Sequence, residues 1–178
     1  MHASRRQIIR VTRQPGTRHG GILQLGALRL ACQLGATGIT RLKREGDGTT
    51  PAADIRLLSL RYRDDRIGRP AGGFRAGAVA LRPGDGWCDD PTDSCYNRPV
   101  KLPFAASHEV LWRDDRLYDI VGILDWNIQP RALGRGSAIF LHLARPDGGP
   151  TAGCIALAPA DMRLLLLLLR PGAIFRVV

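Results

Sequence analysis

The sequence has few aromatic residues, 6% of 178, and no apolar run long enough to cross a bilayer. A spanning helix needs about 20 consecutive apolar residues, and the conspicuous run here is the six leucines Leu164–Leu169. The expectation is therefore no transmembrane segment. Met1 to Val11 begins with charge, but its apolar part is only a few residues, too short for a secretory leader. Acidic residues are also scarce: 16 Asp+Glu face 26 Lys+Arg, for a net charge of +10. Such an excess calls for an anionic partner. The arginines are scattered, and no aromatic array lies beside them. No zinc-finger, helix-turn-helix or RNA-binding signature is present, so nucleic acid is not the expected partner.

Metal and nucleotide signatures are missing as well. The four cysteines, Cys32, Cys88, Cys95 and Cys154, include no second Cys/His pair at zinc spacing, so no metal site is expected. Glu45-Gly46-Asp47-Gly48 lacks the trailing Gly-Lys-Ser/Thr of a phosphate loop and reads as a turn. Cys88 and Cys95 flank the polar stretch Asp89–Ser94, where a disulfide would suit an oxidising compartment. Cys32 lies in an apolar strand and reads as core.

What the chain does have is short strands. Its length fits one domain over residues 1–178, and the 44% hydrophobic content is enough for a core. Helix-period segments are scarce, and 21 Gly with 12 Pro punctuate the chain. Strands are expected over 7–12, in two pieces around Gly26 within 21–33, and over 39–43, 54–63 and 78–81. Residues 83–99 read as a long loop carrying Trp87, Tyr96 and Asn97. A hairpin is expected over Val110–Trp112 and Leu117–Asp125, turning at Arg113–Arg116. Pro159-Ala160-Asp161 opens a helix that Pro171-Gly172 ends, its leucines suggesting that it is largely buried. Ala173–Val178 is the last strand. The fold class is mainly β, a sandwich-like single domain with one principal C-terminal helix.

The chemistry concentrates between Ala138 and Leu157. An apolar strand carries His142, a Gly/Pro-rich loop follows, and Thr151-Ala152-Gly153-Cys154 leads into a second apolar strand. Eleven residues separate His142 from Cys154, so the loop can bring an imidazole beside a thiol. An imidazole can take the proton of a thiol and release the nucleophilic thiolate. Gly153 permits a sharp turn that would aim the amides of Gly153 and Cys154 at one point, as an oxyanion hole requires. Spacing alone leaves the other reading open, in which both side chains only pack the core.

The segment resembles the signature of the L,D-transpeptidase (YkuD) family, a His followed after a spacer by Ser/Thr-His-Gly-Cys and an apolar residue. His142, Thr151, Gly153, Cys154 and Ile155 match; Ala152 replaces the second His, and the spacer is short. Lys43–Pro51 resembles the family's Gly/Lys-rich approach to Thr-Pro. Gly86–Pro91, Tyr96–Val100 and Leu111–Asp115 resemble a compact proteobacterial subgroup, and the likeness extends over residues 20–175. It implies peptidoglycan stem peptides as partners, carbapenem-type covalent inhibitors, no cofactor, and a periplasmic or cell-envelope location. A basic surface facing carboxylates and phosphates of the envelope agrees with this. The implied roles are Cys154 as nucleophile, His142 as acid and base, and Thr151, Ala152, Trp126 and Asn127 as residues bordering the substrate; Trp87, Tyr96 and Asn97 in the long loop read either as a substrate-groove wall or as loop packing, and Arg135 either as facing a substrate carboxylate or as a solvated arginine. Cross-links of the 1→3 type are favoured over 3→3. Trimming of stems as a carboxypeptidase or endopeptidase, or wall binding without catalysis, stay as alternatives. No third residue that orients His142 is visible.

Overall fold

The computed structural model describes residues 6–73 and 77–178. The extreme N-terminus, residues 1–5, and part of the Gly/Pro-rich loop, residues 74–76, lie outside them. The strands are β1 (Ile8–Arg13), β2 (Gly20–Leu25), β3 (Leu28–Gln33), β4 (Ile39–Thr40), β5 (Thr50–Pro51), β6 (Asp54–Tyr62), β7 (Ala78–Ala80), β8 (Asp85–Cys88), β9 (Arg98–Lys101), β10 (His108–Val110), β11 (Ile120–Leu124), β12 (Phe140–Leu143), β13 (Ile155–Leu157) and β14 (Ile174–Val177); the helix α1 (Pro159–Leu168) precedes the last strand. The protein is mainly β, with its helix near the C-terminus, as composition and punctuation imply. The β2–β3 turn contains Gly26 at φ 59°, a left-handed conformation that glycine adopts freely.

Nine strands form one sheet in the order β11-β12-β13-β3-β2-β1-β14-β6-β7, and β11 also pairs with β6. The sheet therefore curls until it meets itself, and its two halves face each other across an apolar interior. Alternation along the strands fills that interior. β1 contributes Ile9 and Val11, β3 Leu30 and Cys32, β12 Leu141 and Leu143, and β13 Ile155 and Leu157. In the β6–β11 pairing the register shifts between Ile123 and Leu124, whose partners are Ser59 and Leu57. This bulge lets Leu57 and Leu60 both turn inward.

Helix α1 closes the interior with Met162, Leu165 and Leu166, joined by Leu169 just beyond its end. Leu164, Leu167 and Leu168 are 49%, 57% and 51% exposed, so the helix is half-buried rather than largely buried. A helix of period 3.6 resting on one layer turns about half its positions outward whatever residues occupy them.

Two expectations about the middle of the chain are corrected. Residues 83–99 are not a continuous loop: they contain β8 and reach β9, within a three-stranded sheet ordered β10-β8-β9. Pro99 lies on the edge strand β9, where a missing N–H is tolerated. Nor do Val110–Trp112 and Leu117–Asp125 make a hairpin, because β10 pairs with β8 whereas β11 pairs with β12 and β6. Arg113–Arg116 instead joins two sheets. Local pattern carries no information about such long-range partners.

The small sheet covers the outer face of β11 and β12, where Trp87, Leu111, Leu117, Tyr118, Val121, Ile123, Phe140 and Cys154 form a second apolar cluster. Asn97 ties it down. Its Oδ1 accepts the Trp87 indole N–H (2.9 Å) and the Ala138 amide (3.1 Å), while its Nδ2 donates to the carbonyls of Trp126 (3.0 Å) and Asn127 (2.8 Å). Its φ of 55° is one that asparagine tolerates better than most residues. Replacing Asn97 with Ala strands the buried Trp87 indole N–H and three half-buried backbone groups, and at about 1–3 kcal/mol for each unsatisfied group the loss should reach about 3 kcal/mol. Chemical denaturation checks this; a change below about 1 kcal/mol would show that Asn97 does not hold the small sheet.

Candidate active site

The parallel pairing of β12 with β13 brings the two chemical residues together. Leu141, His142 and Leu143 stand opposite Ile155, Ala156 and Leu157. Successive side chains alternate between faces, so Phe140, His142, Cys154 and Ala156 share the outer face and their neighbours fill the interior. His142 and Cys154 line one cleft of about 210 Å³, together with Lys43, Glu45, Asp89, Glu109, Arg113, Tyr118, Arg145, Thr151, Ala152 and Gly153.

His142 is 6% exposed, and its Nδ1 lies 2.8 Å from the backbone carbonyl of Leu143. A carbonyl only accepts, so Nδ1 carries the hydrogen and Nε2 keeps its lone pair. The group that orients the imidazole is thus main chain, which explains why no third side chain stands out in the sequence. The Tyr118 ring packs edge-on at 5.2 Å against the imidazole. Burial pushes the His142 pKa down to about 4, with the Leu143 carbonyl opposing.

The Cys154 thiol accepts the Phe140 amide (3.3 Å) and donates to the Ala138 carbonyl (3.2 Å). Ala138 has a φ of 50°, at the bend that enters β12. Burial, then the Glu109 carboxylate, push the Cys154 pKa up to about 12, against the opposing Phe140 amide and Lys43 ammonium. The resting pair is accordingly a neutral thiol and a neutral imidazole. Reaction there requires proton transfer as the thiol attacks.

The residues before the cysteine form a clamp. The Thr151 hydroxyl donates to the Cys154 carbonyl (2.8 Å) and accepts the Gly153 amide (3.1 Å). The Gly153 amide is therefore occupied in the resting protein. Gly153 has a φ of 147°, and a Cβ there would lie 2.7 Å from the Thr49 carbonyl. Only glycine fits both conditions. The segment behind it is itself braced. Asp47 accepts the Arg44 amide, the Thr49 amide and hydroxyl, and the Lys43 ammonium. Burial alone would raise the Asp47 pKa, but these donors hold it at about 2. Thr151 also joins residues 34–36 through the Leu34 carbonyl (2.9 Å) and the Ala36 amide (3.0 Å).

The remaining expected site residues divide. Ala152 is exposed at the rim of the cleft. Trp126, Asn127 and Arg135 line a neighbouring groove of about 270 Å³ that also includes Lys43. Asn127 braces that loop through Ala132 and Gly136, and Trp126 donates to the Arg135 carbonyl. Trp87, Tyr96 and Asn97 do not line the cleft. Trp87 packs edge-on against Phe140 at 5.3 Å, and the Tyr96 hydroxyl donates to Glu45, which does face the cleft. Those three residues support the site from behind. Cys88 and Cys95 are both free thiols, and Cys88 is a buried residue of β8 rather than part of a loop.

Sequence reasoning missed Lys43, Asp89, Glu109, Arg113, Tyr118 and Arg145. One signal was available for Lys43: the chain uses arginine for nearly all its cations and has only two lysines, Lys43 and Lys101. Lys43 is 3% exposed. Among the described residues no group of three His, Cys, Asp or Glu is arranged to hold a metal ion.

Comparison with known proteins gives one family. A model of the L,D-transpeptidase catalytic domain (YkuD) matches residues 23–178. No curated protein and no solved structure gives a significant match.

The buried imidazole has a consequence for stability. The unfolded chain binds a proton at His142 near the ordinary value of 6.5, and the folded chain only near 4. Acid in that window favours the unfolded state. Stability should fall by up to about 3 kcal/mol as the pH drops from 6.5 to 4, at about 1.4 kcal/mol per unit. His142→Asn should flatten that part of the profile. Urea denaturation of both proteins across the window checks it. Asp47 contributes at lower pH, since its stabilisation is lost only as the pH falls through about 3.8 toward 2.

Proposed function

Because the chain belongs to the YkuD family of L,D-transpeptidase catalytic domains, we propose that it cross-links peptidoglycan stem peptides through a Cys154 acyl-enzyme. The family's activity is of the peptidoglycan-modifying type. The observation that carries the finer reading is the shared outer face of β12 and β13, where a thiol and an imidazole with its Nε2 lone pair free line one cleft.

In this reading the thiol turns from the Ala138 carbonyl toward His142 as the donor stem binds. Its proton passes to Nε2 while sulfur attacks the peptide carbonyl. The tetrahedral oxyanion faces the Cys154 amide and the nearby ammonium of Lys43; a Cβ at Gly153 would lie 3.6 Å from the Lys43 Nζ. Collapse expels the amine, which takes the proton from Nε2 and leaves a thioester. An acceptor amine then attacks, gives a proton to Nε2, and restores the thiol. One amide replaces another, so no energy-rich cofactor enters.

Short spacing between His142 and Cys154, and alanine at 152, open one side of the cleft and favour a donor cut after its first residue, giving 1→3 links. Peptidoglycan as substrate implies work in the periplasm or cell envelope. Among the described residues no helix is long and apolar enough to cross a membrane. In an oxidising compartment Cys88 and Cys95 would be able to pair.

Incubation with purified muropeptides should yield dimers whose donor retains only the sugar-linked alanine; a donor retaining its tripeptide would assign 3→3 linkage instead. Trimmed monomers would assign the peptidase activity, and unchanged muropeptides a binding role. Cys154→Ala should abolish dimers and any covalent carbapenem adduct, and full activity in that variant would end the acyl-enzyme reading. His142→Ala should slow turnover by about 10²–10⁴-fold.

A further inference from the structure

The chain carries a charge of +10, yet one side of the catalytic cleft is acidic. Glu45, Asp89 and Glu109 all line it, while Lys43, Arg113 and Arg145 line the rest. Glu109 lies on β10 opposite Trp87, one position from where His108 faces Cys88, the residue just before Asp89. The small sheet thus presents both carboxylates to the cleft from one edge.

These acidic groups are incompletely paired. Glu109 accepts the Tyr118 hydroxyl through Oε1, and among the described residues its Oε2 has no partner. Asp89 Oδ1 is buried and has no hydrogen-bond partner among the described residues. The neighbouring guanidinium of Arg113 is engaged by Asp115 and lies 5.0 Å over the Tyr118 ring. Incompletely paired carboxylates are costly to enclose, and the shared position of Glu109 and Asp89 in the cleft lining points to a cationic ligand. Among the described residues the carboxylates form no metal-holding group with other ligating side chains.

Position sharpens the argument. Glu109 raises the pKa of Cys154 and so opposes formation of the thiolate. Its placement works against acylation and makes chemical sense for a later step, the arrival of a positively charged amine.

We propose that Glu109 and Asp89 form the subsite that receives the ammonium group of the acceptor, making this wall of the cleft the element that selects a cationic amine over water. The inference rests on the acyl-transfer reading of the site. The acceptor enters as R–NH3+, held by Glu109 Oε2 and the Asp89 carboxylate. One proton passes from nitrogen to the Glu109 carboxylate, and the freed amine attacks the thioester carbonyl. A second proton moves through His142 Nε2 to the departing sulfur, restoring the thiol. Glu109 then returns its proton to solvent. The balance is thioester plus ammonium to amide, thiol and one proton. Burial raises the Glu109 pKa, in the direction that suits a carboxylate receiving that proton.

The test uses the full chain with a muropeptide donor and two competing nucleophiles, Nα-acetyl-lysine, whose side chain is an ammonium, and hydroxylamine, which is neutral near neutral pH. In Glu109→Gln, acylation by a carbapenem should become faster, because the charge beside the thiol is gone. The ratio of lysine transfer to hydroxylamine transfer should fall roughly tenfold or more, the size expected for a lost hydrogen bond to a charged group. Asp89→Asn should lower the same ratio, and provides the second measurement if Glu109→Gln folds poorly. An unchanged ratio in both variants, or lysine and hydroxylamine transfer falling in parallel, would overturn the proposal while leaving acyl transfer standing. A wild-type protein that forms no acyl-enzyme would instead bring down the acyl-transfer reading, and this subsite with it.

Discussion

The parallel pairing of β12 with β13 is the constraint on which the site depends. Parallel neighbours usually require a long crossover, most often through a helix. Here only residues 144–154 make the connection, and they do so without one. The loop is held from outside, by residues 34–36 at Thr151 and by the close approach of Thr49 at Gly153. A chain confined in this way delivers Cys154 to the same face as His142. Both strands are buried, with the apolar interior on one side and, over β12, the small sheet on the other.

The electrostatics follow from that burial. In the resting protein the imidazole is held neutral by desolvation and the thiol is held neutral by desolvation and by Glu109. A preformed thiolate–imidazolium pair would be costly in so enclosed a place. In the proposed reaction, a neutral pair delays charge separation until the donor carbonyl is in place. Lys43 is the nearby compensating charge. It is fixed by Asp47, which is itself pinned by Arg44 and Thr49, so its position is set by the segment that also backs Gly153.

The small sheet couples fold to chemistry. Asn97 links Trp87, Ala138 and the 126–127 turn through four hydrogen bonds. Ala138 in turn offers its carbonyl to the resting thiol. Residues such as Trp87 and Asn97 thus influence the site without facing the cleft, by fixing the backbone that does.

Much of this architecture was legible in the sequence. Alternation and Gly/Pro punctuation marked β1, the β2–β3 pair, β6, β12, β13, β14 and the start of α1, because each depends on neighbours in sequence. The Thr-x-Gly-Cys motif and the upstream His likewise singled out the thiol and imidazole, since their chemistry is written in residue type. The sheet order was not legible: β10 and β11 look like a hairpin, but their partners are distant and only packing selects them. The Leu143 carbonyl that orients His142 is common to every residue and leaves no trace in side-chain identity. Glu109 and Asp89 appear in the sequence as two carboxylates among 16, and only the small sheet, folded over β12, brings them into the cleft that Cys154 lines. Sequence determined which groups could react; tertiary pairing decided which charges those groups would face.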